Sequence, residues 1–388
     1  MKNSKIVFFL LLKLDVNGIA SHCADLASEL TAKGYTVIFI CGSISEKYDA
    51  EKLLVSRGFV IHNLGFSNQI NFKSFFDMLP ACYKFLKLLY LYKPAIIHCH
   101  YRSTAPFAFF AQLLRGVKSV LTIHLHNMPK SPVSSFFYSK FNACITISTD
   151  IEKALTEQGI HKDRIFKVFN GADKTVFKNL SAAEKDQLRI QYQLAPDKLT
   201  LLTVARLAKI KSIDTLIKAL AEMNASDRDK IQCLIVGGGT HQPVLERLSQ
   251  RYGLENVLTF TGYRHPHDYY ALSDVFILPS LNEGFSVAVV EAMLSGLAIL
   301  KTPTSGTFDQ LEEGRNGYVF PFHDHKGLAD RIEQLLHNPH LLKKMQQQSY
   351  YMALSRFTME EMGNNVSNIY EQLLRKEDNF VQTFAADI

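Results

Sequence analysis

The sequence predicts an α/β protein built as two Rossmann-like βαβ domains facing a central cleft. Three observations carry the prediction. Short continuous apolar runs alternate with amphipathic segments along most of the chain, as expected of parallel strands covered by helices on both faces. The alternation weakens over residues 174–197, a polar stretch rich in Lys, Asp and Gln, and then restarts. The chain has 388 residues, 47% of them hydrophobic, enough for two packed cores.

The elements follow in order. KIVFFLLL at 5–12 reads as a buried first strand, and a turn at Gly18 follows it. Residues 19–33 carry helical spacing through Ile19, Cys23, Leu26, Ala27 and Leu30. Further strand runs lie at 35–42, 95–100, 119–124, 143–148 and 164–171. After the polar stretch, strand runs recur at 199–205, 231–237, 257–262, 275–280 and 297–302, with helices such as 212–222 and 284–295 between them. The expected division is a first Rossmann-like domain over 1–178, a second over 179–357, and a final segment over 358–388. In such open sheets ligands bind beyond the carboxyl ends of the strands. The candidate residues sit at such ends.

Composition narrows the function. Formal net charge is +6, but residues 1–178 hold 22 basic against 12 acidic residues (+10), leaving 21 against 25 (−4) for the remainder. Between residues 52 and 148 there are eleven basic residues and one acidic residue, Asp77. A basic half implies an anionic partner, such as membrane headgroups, a phosphorylated acceptor or nucleic acid. The six cysteines are scattered without a C-x-x-C pair, which points away from a zinc site or a disulfide framework and toward a reducing cytoplasm. The apolar run Ile6–Leu12 is too short to span a bilayer. A cytoplasmic protein, peripheral at most on the inner face of the membrane, is the expectation.

Four constellations could do chemistry. In P-S-L-N-E-G-F-S-V-A-V-V-E-A-M, residues 279–293, a strand ends, a turn presents Asn282, Glu283 and Gly284, and a helix begins. The first turn of a helix offers N–H groups to phosphate. If both glutamates lie on it, Glu283 and Glu291 are about 12 Å apart at about 1.5 Å per residue. That separation suits two contacts on one extended ligand and is too wide for a shared proton. The same residues would also describe a capped helix with two ordinary acids. In T-V-A-R-L-A-K-I-K, 203–211, Arg206 and Lys211 lie just past a strand. Two cations there suit a diphosphate leaving group, or are plain surface charge; Lys209 reads as a bystander. I-V-G-G-G-T, 235–240, is a glycine-rich turn that lets backbone approach a phosphate or nucleoside. It lacks the G-x-G-x-x-G spacing of a nicotinamide site. In the first half, Asn17, Gly18 and His22 follow the first strand, and His98, His100, His124 and His126 alternate at two strand ends. At least one of these histidines is read as polar or catalytic, with simple core packing as the alternative; a metal is disfavoured because no carboxylate or cysteine joins them at ligand spacing except Cys99, which would point the other way. Residues 72–92 interleave Phe, Tyr and Leu with Lys73, Lys84 and Lys87, as a core helix with a solvated basic edge or an interfacial surface on anionic lipid would.

Together these motifs resemble the retaining glycosyltransferases of family 4, the group 1 glycosyltransferases of GT-B fold. The resemblance runs through IIHCH (96–100), TIH (122–124), ITIST (145–149), VFNGAD (168–173), VARLAKIK (204–211), IVGGG (235–239), NEGFSVAVVEAM (282–293) and GRNGYVF (314–320). It implies that Arg206 and Lys211 hold the donor diphosphate, Glu283 the donor sugar hydroxyls and Glu291 the ribose. Gly284, Phe285, Ser286 and Val287 would lie near sugar and phosphates, with Gly238 also on the donor side. Asn17 and Gly18 would form the loop beside the phosphates and acceptor, His124 would stand beside the transferred sugar, and His100 on the acceptor side. The last helix, roughly 358–376, would return to the N-terminal domain.

The sequence departs from the family in three places. A single Gly18 is followed by Ile19, Ser212 follows Lys211 where glycine is common, and the segment 304–309 has one glycine, Gly306, and ends in Asp309. The implied activity is transfer of a hexose or N-acetylhexosamine, with retention, from a nucleotide-diphosphate sugar (a UDP-sugar above all) to a glycan or lipid-linked saccharide. A bacterial lipopolysaccharide, O-antigen or capsule pathway is the expected setting. No cofactor, no metal and no nucleic acid are expected, and an anionic membrane surface is a candidate partner. The alternatives are a GT-B epimerase or phosphorylase, or a catalytically silent subunit that binds sugar nucleotides.

Overall fold

The computed structural model of the chain describes residues 5–15, 18–45, 50–66, 72–124 and 132–386. They form two compact units, Met1–Asn170 with Met359–Ile388, and Gly171–Thr358. The family fold holds: each unit is a parallel sheet with helices, Rossmann-like in its winding.

The first unit carries β1 (Ile6–Leu14), β2 (Thr36–Ile44), β3 (Val60–Asn63), β4 (Ile96–Cys99), β5 (Lys118–Ile123), β6 (Ala143–Thr146) and β7 (Ile165–Lys167). Their spatial order is β3-β2-β1-β4-β5-β6-β7. Val7, Phe9 and Leu11 on β1 and Val37, Phe39 and Cys41 on β2 pack with Cys23, Leu26, Ala27 and Leu30 of the helix Gly18–Ala32. The last helix, Met359–Ala386, closes this core with Met362, Val366, Ile369, Tyr370 and Leu373. It comes close enough to the helix Gly18–Ala32 that a Cβ on Gly363 would lie 2.5 Å from Cβ of Glu29.

The second unit carries β8 (Leu199–Val204), β9 (Ile231–Val236), β10 (Leu258–Gly262), β11 (Val275–Leu278), β12 (Ala298–Lys301) and β13 (Gly317–Val319), in the order β10-β9-β8-β11-β12-β13. Both sheets reverse winding direction at their centres, between β1 and β4 and between β8 and β11. Those switch points open the crevice that ligands use in doubly wound sheets. The chain delivers His100, Arg206 and Glu283 just past β4, β8 and β11.

Three boundaries differ from expectation. The first unit ends at Asn170, not 178: Ala172 pairs with Thr358, and Phe177 stacks edge-on against Tyr270, so 171–178 packs with the second unit. The polar stretch 174–197 contains a docked helix, Ala182–Gln191, capped by a reciprocal Ser181–Glu184 box. Arg189 anchors it through Leu272 O at 2.8 Å and an ion pair to Asp274. The helix expected over 284–295 spans Val287–Leu294. The edge strands β3 and β13 leave no continuous apolar run: Val60–Asn63 is largely solvent-facing and ends in His62 and Asn63, and Gly317–Val319 opens on a glycine. Among the described residues, no helix is long and apolar enough to cross a membrane.

Candidate functional site

In the second unit, the loop after β8 lies against the glycine turn after β9. Leu207 N donates to Gly238 O at 2.9 Å, and Ala205 N to Val236 O at 3.1 Å. The contact leaves no room for side chains: a Cβ on Gly237 would lie 2.1 Å from Ala205 O, and one on Gly239 2.2 Å from Leu207 O. Gly237 also has φ +131°, open to glycine alone at low cost. The glycine turn therefore seats the segment that carries Arg206. The Arg206 side chain is exposed.

A single turn of 3₁₀ helix, Lys209–Lys211, then brings Lys211 back toward β11, pinned by Leu281 N donating to Ile210 O at 2.9 Å. Lys211 Nζ donates to Glu283 Oε1 at 2.5 Å, with the two side chains 21% and 13% exposed. Ser212, where relatives often have glycine, takes the left-handed conformation with φ +48°. Its buried Oγ lies 3.1 Å from Thr215 Oγ1.

Glu283 stands in a loop, four residues before the helix Val287–Leu294. The expected 12 Å measure along one helix therefore does not apply, and only Glu291 is helical. Gly284, Phe285 and Ser286 are buried between them, and Val287 opens the helix, whose first N–H groups have no intrahelical acceptor. Gly306, φ +73°, lies so close that its Cβ would sit 3.0 Å from Gly284 O. The glycine kept in the 304–309 departure is the one this contact requires. Glu291 Oε2 accepts from Tyr270 OH at 2.8 Å. Tyr270 is fully buried, and burial with the Glu291 charge raises its phenol well above the ordinary range. It stays a donor to Glu291. Sequence reasoning missed Tyr270 because H-D-Y-Y-A-L reads only as an amphipathic turn.

In the first unit, the histidines separate into two kinds. His98 is fully buried with both ring nitrogens engaged, Nδ1 to Tyr370 OH and Nε2 to Thr122 Oγ1, each at 2.6 Å. It is structural. His100, just past β4, and His124, just past β5, approach to 3.4 Å between Nδ1 and Nε2. His22, from the helix Gly18–Ala32, meets the His124 ring edge-on at 4.8 Å between centroids. One ring nitrogen from each of His22, His100 and His124 lies within 4.8 Å of the others, a set able to hold a cation, with no carboxylate or cysteine in the group among the described residues.

Both His22 ring nitrogens and His100 Nε2 lack a hydrogen bond of good geometry, although Asn170 faces His22. Burial lowers His22 to about 4 and holds His98, His100 and His124 well below the ordinary imidazole range. All four are neutral at neutral pH. The cluster thus offers lone pairs and N–H donors to a polar ligand, without positive charge. His22 belongs to this cluster, which sequence spacing did not show. Gly18 is the exposed first residue of its helix, with open space where a Cβ would stand. Asn17 and His126 lie outside the described residues.

Two family models match the chain: one described as glycosyltransferase family 4 over residues 16–176, one as glycosyl transferases group 1 over residues 184–352. The chain belongs to the group 1 glycosyltransferases of family 4. This glycosyltransferase is 28% identical over 195 residues to alpha-D-kanosaminyltransferase of Streptomyces kanamyceticus, a match covering 49% of this chain and 50% of that one. It thus spans half the length of that relative. Anabaena Alr3699/HepE, solved in complex with UDP, matches its fold with a TM-score of 0.82 at 20% identity, covering 94% of this chain and 99% of that one. The lipopolysaccharide outer core galactosyltransferase WaaB matches with a TM-score of 0.74 at 16% identity, over 95% and 99% of the two chains. The glycosyltransferase is therefore of GT-B type.

Proposed function

We propose that this glycosyltransferase moves a hexose or N-acetylhexosamine from a nucleoside-diphosphate sugar, with uridine as the base, to a glycan or lipid-linked saccharide, with retention of configuration. The observation that carries the reading is the Lys211–Glu283 pair, with the exposed Arg206 on the same loop after β8 as Lys211. Arg206 and Lys211 neutralise the departing diphosphate, assisted by the N–H groups at Val287. Glu283 takes the sugar hydroxyls, and Glu291, held by Tyr270, the ribose. The bond from the sugar C1 to the phosphate oxygen breaks as the acceptor oxygen bonds to C1 on the same face. The acceptor proton passes to the departing phosphate, so no side-chain nucleophile and no metal ion is called for. The neutral His100 and His124 are assigned to hydroxyl hydrogen bonds on the acceptor side. A relative solved with UDP supports the base, and one named for lipopolysaccharide supports surface-polysaccharide assembly as the setting.

An anionic membrane is the proposed working surface. On the helix Phe72–Tyr92, Ala81, Phe85 and Leu89 are buried, so most of its central apolar stripe is core. Leu79, Tyr83, Tyr90 and Leu91 are exposed, as are Lys84 and Lys87. Arg115 stacks on Tyr90 at 4.8 Å, joining this face to exposed Phe110, Leu113 and Leu114 of the helix Ala105–Arg115. Mixed basic and apolar exposure suits a headgroup layer.

The test is a thermal-shift series with uridine, guanosine and adenosine diphosphates and their sugars, followed by incubation of the stabilising donor with and without saccharide acceptors. Selective stabilisation by one diphosphate series and acceptor-dependent transfer are expected. Conversion of the donor sugar without acceptor would show an epimerase instead. Full transfer by Glu283→Ala would overturn the site assignment.

A further inference from the structure

Lys301, the last residue of β12, is fully buried. Its Nζ donates to Gln310 Oε1 at 3.0 Å. An ammonium has three N–H donors, and this bond engages one of them. Gln310 is itself fully buried, and its Nε2 donates to Ser286 O at 2.8 Å. The relay ends on the residue that precedes the helix Val287–Leu294. The charged groups that face Lys301 are Glu283 and Lys211 from the loops after β11 and β8, and Asp309 from the short helix Thr307–Gln310.

A buried ammonium without a carboxylate in contact is costly. An apolar residue at a strand end would serve the core better. Proteins keep such strained groups where a site needs them.

We infer that Lys301 is a positioning residue of the donor half-site: through Gln310 it fixes the Ser286 carbonyl and the entry to the helix Val287–Leu294, and it holds a positive charge behind Glu283. The inference rests on reading this unit as the nucleotide-sugar site. It adds an arm of that site that the E-x₇-E motif does not contain. Burial lowers the Lys301 ammonium to about 8, against the favourable charges of Glu283 and Asp309. The charge is present below that pH and lost above it.

The test uses the full chain and the donor identified by thermal shift. Lys301→Met is expected to keep or raise Tm, because it removes a buried charge. It raises the donor KM about tenfold, the size of one lost charge-assisted hydrogen bond, with a smaller change in kcat. The wild type loses kcat/KM for donor above pH 8, and Lys301→Met lacks that alkaline limb. Gln310→Glu gives Lys301 a carboxylate partner and moves the limb to higher pH, which a purely structural lysine would not do. Wild-type donor KM and an unchanged limb in Lys301→Met overturn the inference. If that variant does not fold, an unmoved limb in Gln310→Glu overturns it equally. Glu283→Gln, run in parallel, separates the two ideas. If Glu283→Gln weakens donor binding and Lys301→Met does not, only the Lys301 role fails. If neither does, the donor-site reading fails.

Discussion

Lys211 Nζ and Glu283 Oε1 meet at 2.5 Å across 72 residues of sequence. The loops after two neighbouring strands, β8 and β11, bring them together at the switch point of the sheet. Lys211→Ala and Glu283→Gln are each expected to lower kcat/KM by about 10²-fold, the scale for one preorganised electrostatic group. Because they share one contact, the double variant should lose less than the product of the two. Steady-state kinetics on all four proteins measures this. Full additivity would show that the pair does not act as a unit.

Tyr270→Phe removes the donor to Glu291 while keeping the ring packed on Phe177 and Phe276. The KM for nucleotide sugar should rise roughly tenfold, as when a hydrogen bond to a charged group is lost, with kcat nearly unchanged. Calorimetric titration with the free diphosphate should show the same loss. An unchanged affinity would remove Glu291 from the nucleoside contact.

Gly239→Ala drives a methyl into Leu207 O. Overpacking of this kind costs about 1–3 kcal/mol, read as a lower midpoint in urea. The segment that must move carries Arg206, so diphosphate affinity should fall as well. By contrast, Gly253→Ala at an open position, φ +64°, should cost stability alone.

The acid limit of the first unit follows from its histidines. His22 is depressed from 6.5 to about 4 by burial, so the folded state binds fewer protons than the unfolded chain. Its contribution is fully present above pH 6.5 and is lost as pH falls toward 4, about 3 kcal/mol over that window. His98, His100 and His124 shift in the same direction. Scanning calorimetry from pH 7 to 4.5 should show the first unit losing stability, and His22→Leu should flatten the curve. A Tm independent of pH over that range would contradict this burial.

The basic, apolar face predicts binding to vesicles that contain phosphatidylglycerol over neutral ones, weakened by salt. Leu113→Glu, at a residue 71% exposed, should reduce sedimentation with vesicles while leaving transfer to a soluble acceptor unchanged. Equal binding to neutral vesicles would remove the electrostatic part.

The sequence made the α/β class readable, because parallel strands buried on both faces show as unbroken apolar runs. Eleven of the strands left such runs. β3 and β13 did not, since these edge strands, Val60–Asn63 and Gly317–Val319, include polar residues or glycine that break the run. Arg206, Lys211, Glu283 and Glu291 were visible because local motifs carry them. Tyr270, Lys301 and Gln310 were not, because each acquires its partner only when the sheet is wound, and the grouping of His22 with His100 and His124 was hidden for the same reason. The glycine turn 237–239 was read for its openness to a ligand. Its closest constraint is the Arg206 loop, a contact that only the three-dimensional structure reveals.

The helix Met359–Ala386 belongs to the unit that begins at residue 1. During synthesis, therefore, the unit begun before the second is completed after it. Its β1–β2 face lacks a wall, and His98 lacks the Tyr370 hydroxyl, until the helix Met359–Ala386 emerges. The second unit, encoded by an uninterrupted stretch, can fold while the first still waits. A premature stop near residue 358 would thus leave the second unit whole and damage the unit that precedes it.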